Sequence, residues 1–156
     1  MNLCLWEVII LDIVYKEYNL TVDEYLSIES KMENMDTTSR EQAEKSLSHH
    51  ICSVAAFDGE KIIGIGRLIG DAAIYWCLID IWVFPEYQGK GIGRQIVNWL
   101  IKFVKDNSIK GTSVSVFLMS AQGKEGFYKK LGFRCRPHEY EGSGMELELD
   151  IKMFPE

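Results

Sequence analysis

Apolar positions along this 156-residue chain fall into two rhythms: short runs rich in β-branched and aromatic residues, and stretches where they recur every three or four residues. Ile51 to Phe57 and Lys61 to Ile69 are runs of the first kind, and Asp58-Gly59 between them is a hairpin signal. A reversal at Gly70-Asp71 leads into Ile74 to Phe84, which Pro85 stops. The three segments predict an antiparallel meander. Ile92, Ile96, Val97, Leu100, Ile101 and Val104 then repeat at helical spacing and predict a helix from Gly91 to Lys105. Thr112 to Leu118 reads as a strand and Lys124 to Leu131 as a helix. The ends are expected to add a first strand over Leu5 to Val14 and closing strands near Phe133 and over Met145 to Ile151. Thr21-Val-Asp-Glu24 is a capping box for a helix toward Lys31, and Ser39 opens another over Arg40 to Leu47, with Glu33 to Thr38 a loop between them. The order β-α-α-β-β-β-α-β-α-β-β predicts one mixed α/β domain over residues 1–156. In it the meander strand and Thr112 to Leu118, joined through a helix, lie parallel.

Composition narrows the classes. At 47% hydrophobic and 26% charged, the chain has a core to bury and is neither collagen-like nor disordered. Apolar runs such as Val8 to Leu11 and Ile79 to Phe84 fall far short of the ~20 residues that span a bilayer, and no leader pattern opens the sequence, so a soluble cytoplasmic protein is expected. Cysteines at 4, 52, 77 and 135 form no Cys-x-x-Cys pair, and His49, His50 and His138 fall in no ligand spacing, so no metal is expected. A net charge of −6 argues against nucleic acid. All of it resides in residues 1–50, with ten acids and four bases, while the remainder is neutral.

The chemistry concentrates in Val83-Phe-Pro-Glu-Tyr-Gln-Gly-Lys-Gly-Ile-Gly-Arg94, a strand end, a glycine turn and a helix start. Glycines at 89, 91 and 93 let successive N–H groups point into one concavity at the positive end of a helix dipole, which suits a pyrophosphate. Lys90 and Arg94 can add charge. A dinucleotide fingerprint needs glycine where Arg94 or Ile96 stands, and a Walker loop needs Ser or Thr after Lys90, so both fail. Gly64 and Gly66 lie inside a strand followed by another strand, and read as close packing or a bulge.

What remains, Gln88-Gly-Lys-Gly-Ile-Gly93 after Val-x-Pro and before an amphipathic helix, closely resembles the acetyl-coenzyme A motif of the GCN5-related N-acetyltransferases. Gly126-Phe-Tyr-Lys-Lys-Leu-Gly-Phe133 resembles that family's second signature, aromatic-Tyr-x-x-Leu-Gly-Phe. Arg134-Cys-Arg-Pro137 and Gly142-Ser-Gly-Met145 further resemble a bacterial branch acting on small amines. The resemblance implies a mostly antiparallel sheet flanked by helices, with one parallel strand pair splayed to admit a thioester and a bulge in the strand ending at Phe84. It also implies that the main chain of Ile81, Trp82 and Val83 pairs with the pantetheine of acetyl-coenzyme A. Gln88, Gly89, Lys90, Gly91, Ile92, Gly93 and Arg94 would hold its pyrophosphate.

Two catalytic candidates follow. Tyr128 matches the family's usual proton donor, and a phenol of pKa ~10 can protonate a departing thiolate; packing in the core is the other reading of this tyrosine. Thr112 to Leu118 offers no carboxylate, although some relatives carry a glutamate there, and Ser120 and Ala121 stand where an asparagine is common. The remaining base is Asp80, which interrupts an apolar strand; it either accepts the ammonium proton, directly or through water, or pairs with Arg67 or another structural cation. His138 and Glu139 are looser candidates that also read as surface.

The acceptor side, by resemblance, is walled by the N-terminal helices, and their acidity either favours a small cationic amine or is simply a solvated face. Trp76, Trp82, Tyr75 and Tyr87 can add an aromatic wall or simply pack. The expected reaction is direct transfer in a ternary complex, since no cysteine lies in either motif. Protein N-termini or lysines as acceptors, and a silent acyl-coenzyme A sensor, remain alternatives. The partner expected is a small-molecule amine, with no nucleic acid and no membrane; a homodimer stays open.

Overall fold

The computed structural model describes residues 12–32, 38–147 and 149. Its elements are β1 (Ile13–Glu17), α1 (Val22–Glu29), α2 (Arg40–Ser48), β2 (Cys52–Asp58), β3 (Lys61–Gly70), β4 (Tyr75–Val83), a 3-10 turn (Pro85–Tyr87), α3 (Ile92–Asn107), β5 (Ser115–Leu118) and α4 (Glu125–Lys129). The chain divides into two compact units, Met1–Met119 and Ser120–Glu156.

The first unit is built on one five-stranded sheet in the order β1-β2-β3-β4-β5. The β1-β2, β2-β3 and β3-β4 pairs are antiparallel, and β4-β5 is parallel, as a connection through a helix requires. The β2-β3 hairpin closes on Gly59 and Glu60, with Asp58 facing Lys61 and Gly59 at φ +59, a backbone that glycine adopts without steric cost.

Strand alternation sends β3 side chains to two faces. Toward α3 go Gly64 and Gly66, and a Cβ on Gly66 would lie 2.6 Å from Ile96 Cγ2. These glycines therefore let α3 sit close, with Ile92, Ile96, Val97, Leu100 and Val104 buried at helical spacing. Each such side chain contributes on the order of 1.5–3 kcal/mol. Toward α1 and α2 goes Ile65, which joins Leu20, Tyr25, Ile28, Ala43, Ala55, Phe57 and Phe84 in a second core. Both capping boxes form: Thr21 with Glu24 opens α1, and Ser39 with Gln42 opens α2.

The ends depart from expectation. The first strand lies over Ile13–Glu17, later than Leu5 to Val14; residues 1–11 fall outside the described residues. Among the described residues it pairs with β2 alone, and at this edge Lys16 and Glu17 are exposed while Tyr15 is half-buried. Of the loop over Glu33 to Thr38, only Thr38 is described. In the second unit no strand forms at Phe133, because its N–H bonds the Tyr128 carbonyl at 3.2 Å and closes α4. Met145 to Leu147 carry no ladder, and residues 148 and 150–156 of that expected strand lie outside the described residues.

Candidate active site

The site in the first unit starts from an irregularity in β4. Trp82 pairs with Ile65 and Ile79 with Arg67, so Gly66 faces two residues, Asp80 and Ile81. This is a β-bulge, and it places Asp80 at φ 51, a left-handed backbone costing about 1–2 kcal/mol in a residue with a Cβ. The ladder between β4 and β5 meanwhile ends at Leu78 and Leu118. Ile79 to Val83 thus continue past the end of β5, and the parallel pair opens at the bulge. Phe84 N–H bonds the Ile63 carbonyl at 3.0 Å, so the alternation of an antiparallel ladder turns Trp82 toward β3 and the main chain of Ile81 and Val83 toward the opened edge.

Beyond β4 the chain turns through Pro85–Tyr87 into the glycine segment. Gly89 and Gly91 have φ +76 and +82, and a Cβ on either would meet no atom within 4 Å. Glycine is required here by backbone conformation alone, and the surrounding space stays open. Gly91 is the N-cap of α3 and has no side-chain capping bond. Gln95 N–H is the first to reach back, bonding the Gly91 carbonyl at 3.2 Å. The N–H groups of Ile92, Gly93 and Arg94 therefore lie at the positive end of a 16-residue helix without intrahelical acceptors. Such a terminus fits a pyrophosphate, and Arg94 is exposed beside it. Gln88 braces the turn from behind, its Nε2 donating to the Val83 carbonyl at 3.0 Å. Lys90 bends back onto the Glu86 carbonyl at 3.0 Å and lies over the Tyr87 ring.

Asp80 does not stand alone. Its Oδ2 accepts from Arg67 Nη1 at 2.8 Å, and Arg67 is 1% exposed. The other end nitrogen of Arg67 donates to the carbonyl and hydroxyl oxygens of Ser46, in the last turn of α2, at 2.9 and 3.0 Å. Arg67 Nε finds no acceptor among the described residues, and the guanidinium lies 5.4 Å from the Tyr25 ring. Burial pushes the Asp80 carboxyl up from its ordinary value, opposed by the charge and hydrogen bond of Arg67 and supported by the nearby Glu29. Burial is also the main reason the Tyr25 phenol is pushed up to about 12. Both readings of Asp80 thus meet at one carboxylate: it is ion-paired with Arg67, and it sits at the opening of the strand pair with a raised pKa.

The acidity of the N-terminal third is partly structural. Glu24 closes the α1 capping box and accepts from Tyr18, buried Glu29 accepts from the N–H and hydroxyl of Thr38, and Asp23 pairs with Arg40 across α1 and α2. Of the aromatic residues, Trp76 is buried, Trp82 packs on Tyr25 with ring centroids 5.6 Å apart, Tyr87 donates to Asp58 at 3.0 Å, and Tyr75 is exposed. Ser46, Tyr25 and Glu29 escape the sequence reading, since nothing local marks them.

The second unit shows why the aromatic-Tyr-x-x-Leu-Gly-Phe pattern has its spacing. After α4, Gly132 takes φ +93, its N–H bonds the Lys129 carbonyl at 3.1 Å, and Phe133 N–H bonds the Tyr128 carbonyl. This is a Schellman closure. It returns Phe133 onto Tyr128 edge to face at 5.9 Å, with Phe127 on the Tyr128 ring at 4.9 Å. Tyr128 is half-buried, and burial raises its pKa, so the phenol keeps its proton well above neutral pH. His138 and Glu141 pair at 2.7 Å in the loop beyond, and Glu139 is exposed. Among the described residues, no cluster of His, Cys, Asp or Glu is placed to hold a metal ion, and no helix is long and apolar enough to cross a membrane.

Comparisons with known proteins bear on this geometry. Residues 48–135 match the family model of the acetyltransferase (GNAT) domain. An uncharacterised N-acetyltransferase, ycf52-like, of Prochlorococcus marinus is 24% identical over 133 residues, covering 74% of this chain and 72% of its own. The GCN5-related N-acetyltransferase 2, chloroplastic, of Arabidopsis thaliana is 33% identical over 90 residues, covering 54% of this chain and 33% of its own. A crystal structure from meticillin-resistant Staphylococcus aureus, described as a protein of unknown function and probable acetyltransferase, superposes with a TM-score of 0.75 at 30% identity. It covers 88% of this chain and 99% of its own.

Proposed function

Because the chain belongs to the GCN5-related N-acetyltransferase family, we propose that it moves the acetyl group of acetyl-coenzyme A onto the primary amine of a small cationic acceptor, by direct transfer in a ternary complex. The observation that carries this reading is the succession of a bulged, opened β4 and an uncapped glycine turn at the start of α3. In this reading residues 1–156 form one N-acetyltransferase domain acting in the cytoplasm on a small-molecule amine, without nucleic acid, membrane or metal. A homodimer is compatible with it.

Acetyl-coenzyme A supplies a thioester with a thiol as leaving group. The main chain of Ile81 and Val83 and residues Gln88 to Arg94 would hold it, the N–H groups of the helix N-terminus suiting its pyrophosphate, whereas the main chain of Trp82, expected to join them, faces β3 instead. Asp80 accepts the proton of the acceptor ammonium, directly or through water. An amine of pKa ~10 is neutral in only about one molecule in a thousand at pH 7, so that proton must be removed. Raised by burial, Asp80 is a stronger base than an ordinary carboxylate while Arg67 keeps it ionised. Tyr128 donates the proton to the leaving thiolate. Exposed carboxylates of α1 and α2, Glu41 and Glu44 among them, favour a cation at the acceptor side.

The test is free-thiol release from acetyl-coenzyme A across polyamines, arylalkylamines, aminoglycosides and peptides. Turnover confined to small cationic amines is expected. Turnover with peptides alone refutes the acceptor assignment, and no turnover with any amine, while coenzyme A still binds, refutes the enzyme reading in favour of a sensor.

A further inference from the structure

Resting on Asp80 as the base of that reaction, we infer that Arg67 is the positioning residue of the site, its single fork holding both the β4 bulge and the end of α2. Three contacts carry this. Nη1 binds Asp80 at the one non-glycine left-handed residue described in β4, and Nη2 binds both oxygens that Ser46 offers. Nε stays buried without an acceptor, so the orientation of the guanidinium is dictated by its two ends.

The setting argues against a purely stabilising role. Arg67 occupies a core position of β3, where an apolar side chain would avoid desolvating a charge, and a buried ion pair is a poor source of stability compared with apolar packing. What such a pair supplies is geometry. Without it, the β3-β4 ladder still sets the bulge, but the Asp80 carboxylate loses the partner that orients it, and among the described residues α2 loses the hydrogen bonds that tie it to the β3 side chain. A guanidinium makes both contacts at once in a plane; a lysine ammonium at the same place is a point charge. The residue therefore acts through Asp80 and does not touch substrate.

The groups facing Asp80 are Arg67 from β3, Glu29 and Tyr25 from α1, and neutral Ser46 from the α2 end of the network. Arg67 lowers the titration of Asp80, while burial and Glu29 raise it. Removing the guanidinium thus moves Asp80 upward, by roughly 1–3 pH units for a close opposite charge.

The experiment follows the Asp80 carboxyl by carbon-detected NMR titration, alongside pH profiles of thiol release, in the wild-type protein, Arg67→Met and Arg67→Lys. In Arg67→Met the Asp80 midpoint is expected to rise by that amount, with the acidic limb of kcat/KM rising with it. In Arg67→Lys the charge remains and the midpoint stays within about one unit, yet kcat falls roughly 10- to 100-fold from misplacement, with KM for acetyl-coenzyme A unchanged. An unmoved Asp80 in Arg67→Met overturns the inference. So does wild-type kcat in Arg67→Lys, which decides the matter if the methionine variant fails to fold. A shifted carboxyl with an unshifted activity profile refutes Asp80 as the base and this inference with it. Absent thiol release from the wild type refutes acetyl transfer itself, a separate failure.

Discussion

Replacing Gly91 with valine tests the glycine turn, because two energetic consequences of that change separate cleanly. At φ +82 a side chain costs at least about 1–2 kcal/mol in backbone strain, and no atom lies within 4 Å of the added Cβ to add a clash. For a domain of this length that lowers Tm by roughly 2–8 °C. Gly111 provides the control, since its φ is +81 and its Cβ would likewise meet nothing within 4 Å. Gly111→Val should cost a comparable amount of stability.

The two variants should part when ligand is added. Coenzyme A at a hundred times its dissociation constant stabilises the native state by about 2.7 kcal/mol, or roughly 5–11 °C at this chain length. Gly111→Val should keep that shift, whereas Gly91→Val should lose it if the free N–H groups of α3 receive the pyrophosphate, since its side chain would stand beside them. Differential scanning fluorimetry, with and without coenzyme A, reads both quantities. A full ligand shift in Gly91→Val refutes the assignment of the turn. Loss of the shift in both variants would mean that backbone strain alone explains the effect.

Asp80→Asn should flatten the rise of activity with pH, because the group must be deprotonated to accept a proton and its pKa lies above the ordinary carboxylate range. A wild-type profile in a folded variant assigns Asp80 to structure. Tyr128→Phe keeps the ring between Phe127 and Phe133 and removes only the hydroxyl, so steady-state kinetics should show kcat down roughly 10²-fold with KM for acetyl-coenzyme A unchanged. Near-full turnover would remove the phenol from the chemistry. Tyr25 has a folded pKa raised to about 12 from 10.0, so its neutral form contributes stability that is fully present below pH 10 and lost as pH rises through 12. Tyr25→Phe should therefore lose less Tm than wild type between pH 10 and 12, and identical slopes would contradict the burial of this phenol.

The glycine turn was legible because its requirement is local. Positive φ at residues 89 and 91 depends on each residue's own lack of a Cβ, and the helix that follows announces itself through apolar spacing. The Leu131-Gly132-Phe133 closure is local in the same sense, completed by main-chain bonds within six residues. The Thr21–Glu24 capping box was also readable, as was Ser39 as the start of α2, each signal lying within four residues; the reciprocal bond from the Ser39 N–H to the Gln42 side chain is what the structure adds. The placement of β1 and the absence of a strand at Phe133 were not legible. Ladder pairing depends on which distant strand is available and on whether an N–H is already committed.

Residue type and spacing by themselves determined the order of the central elements, the parallel joining of β4 and β5, and the glycine turn that opens α3. Each of these follows from backbone preference or periodicity within one element and its connection. Only the tertiary structure decided that Gly66 stands opposite two residues of β4, that Asp80 at this bulge pairs with Arg67, and that Arg67 also bonds Ser46 on α2. Those contacts join residues 13 and 21 positions apart, on different elements. Their energy comes from burial and hydrogen-bond geometry, which exist only after the sheet has closed against α1 and α2 and excluded water from the guanidinium.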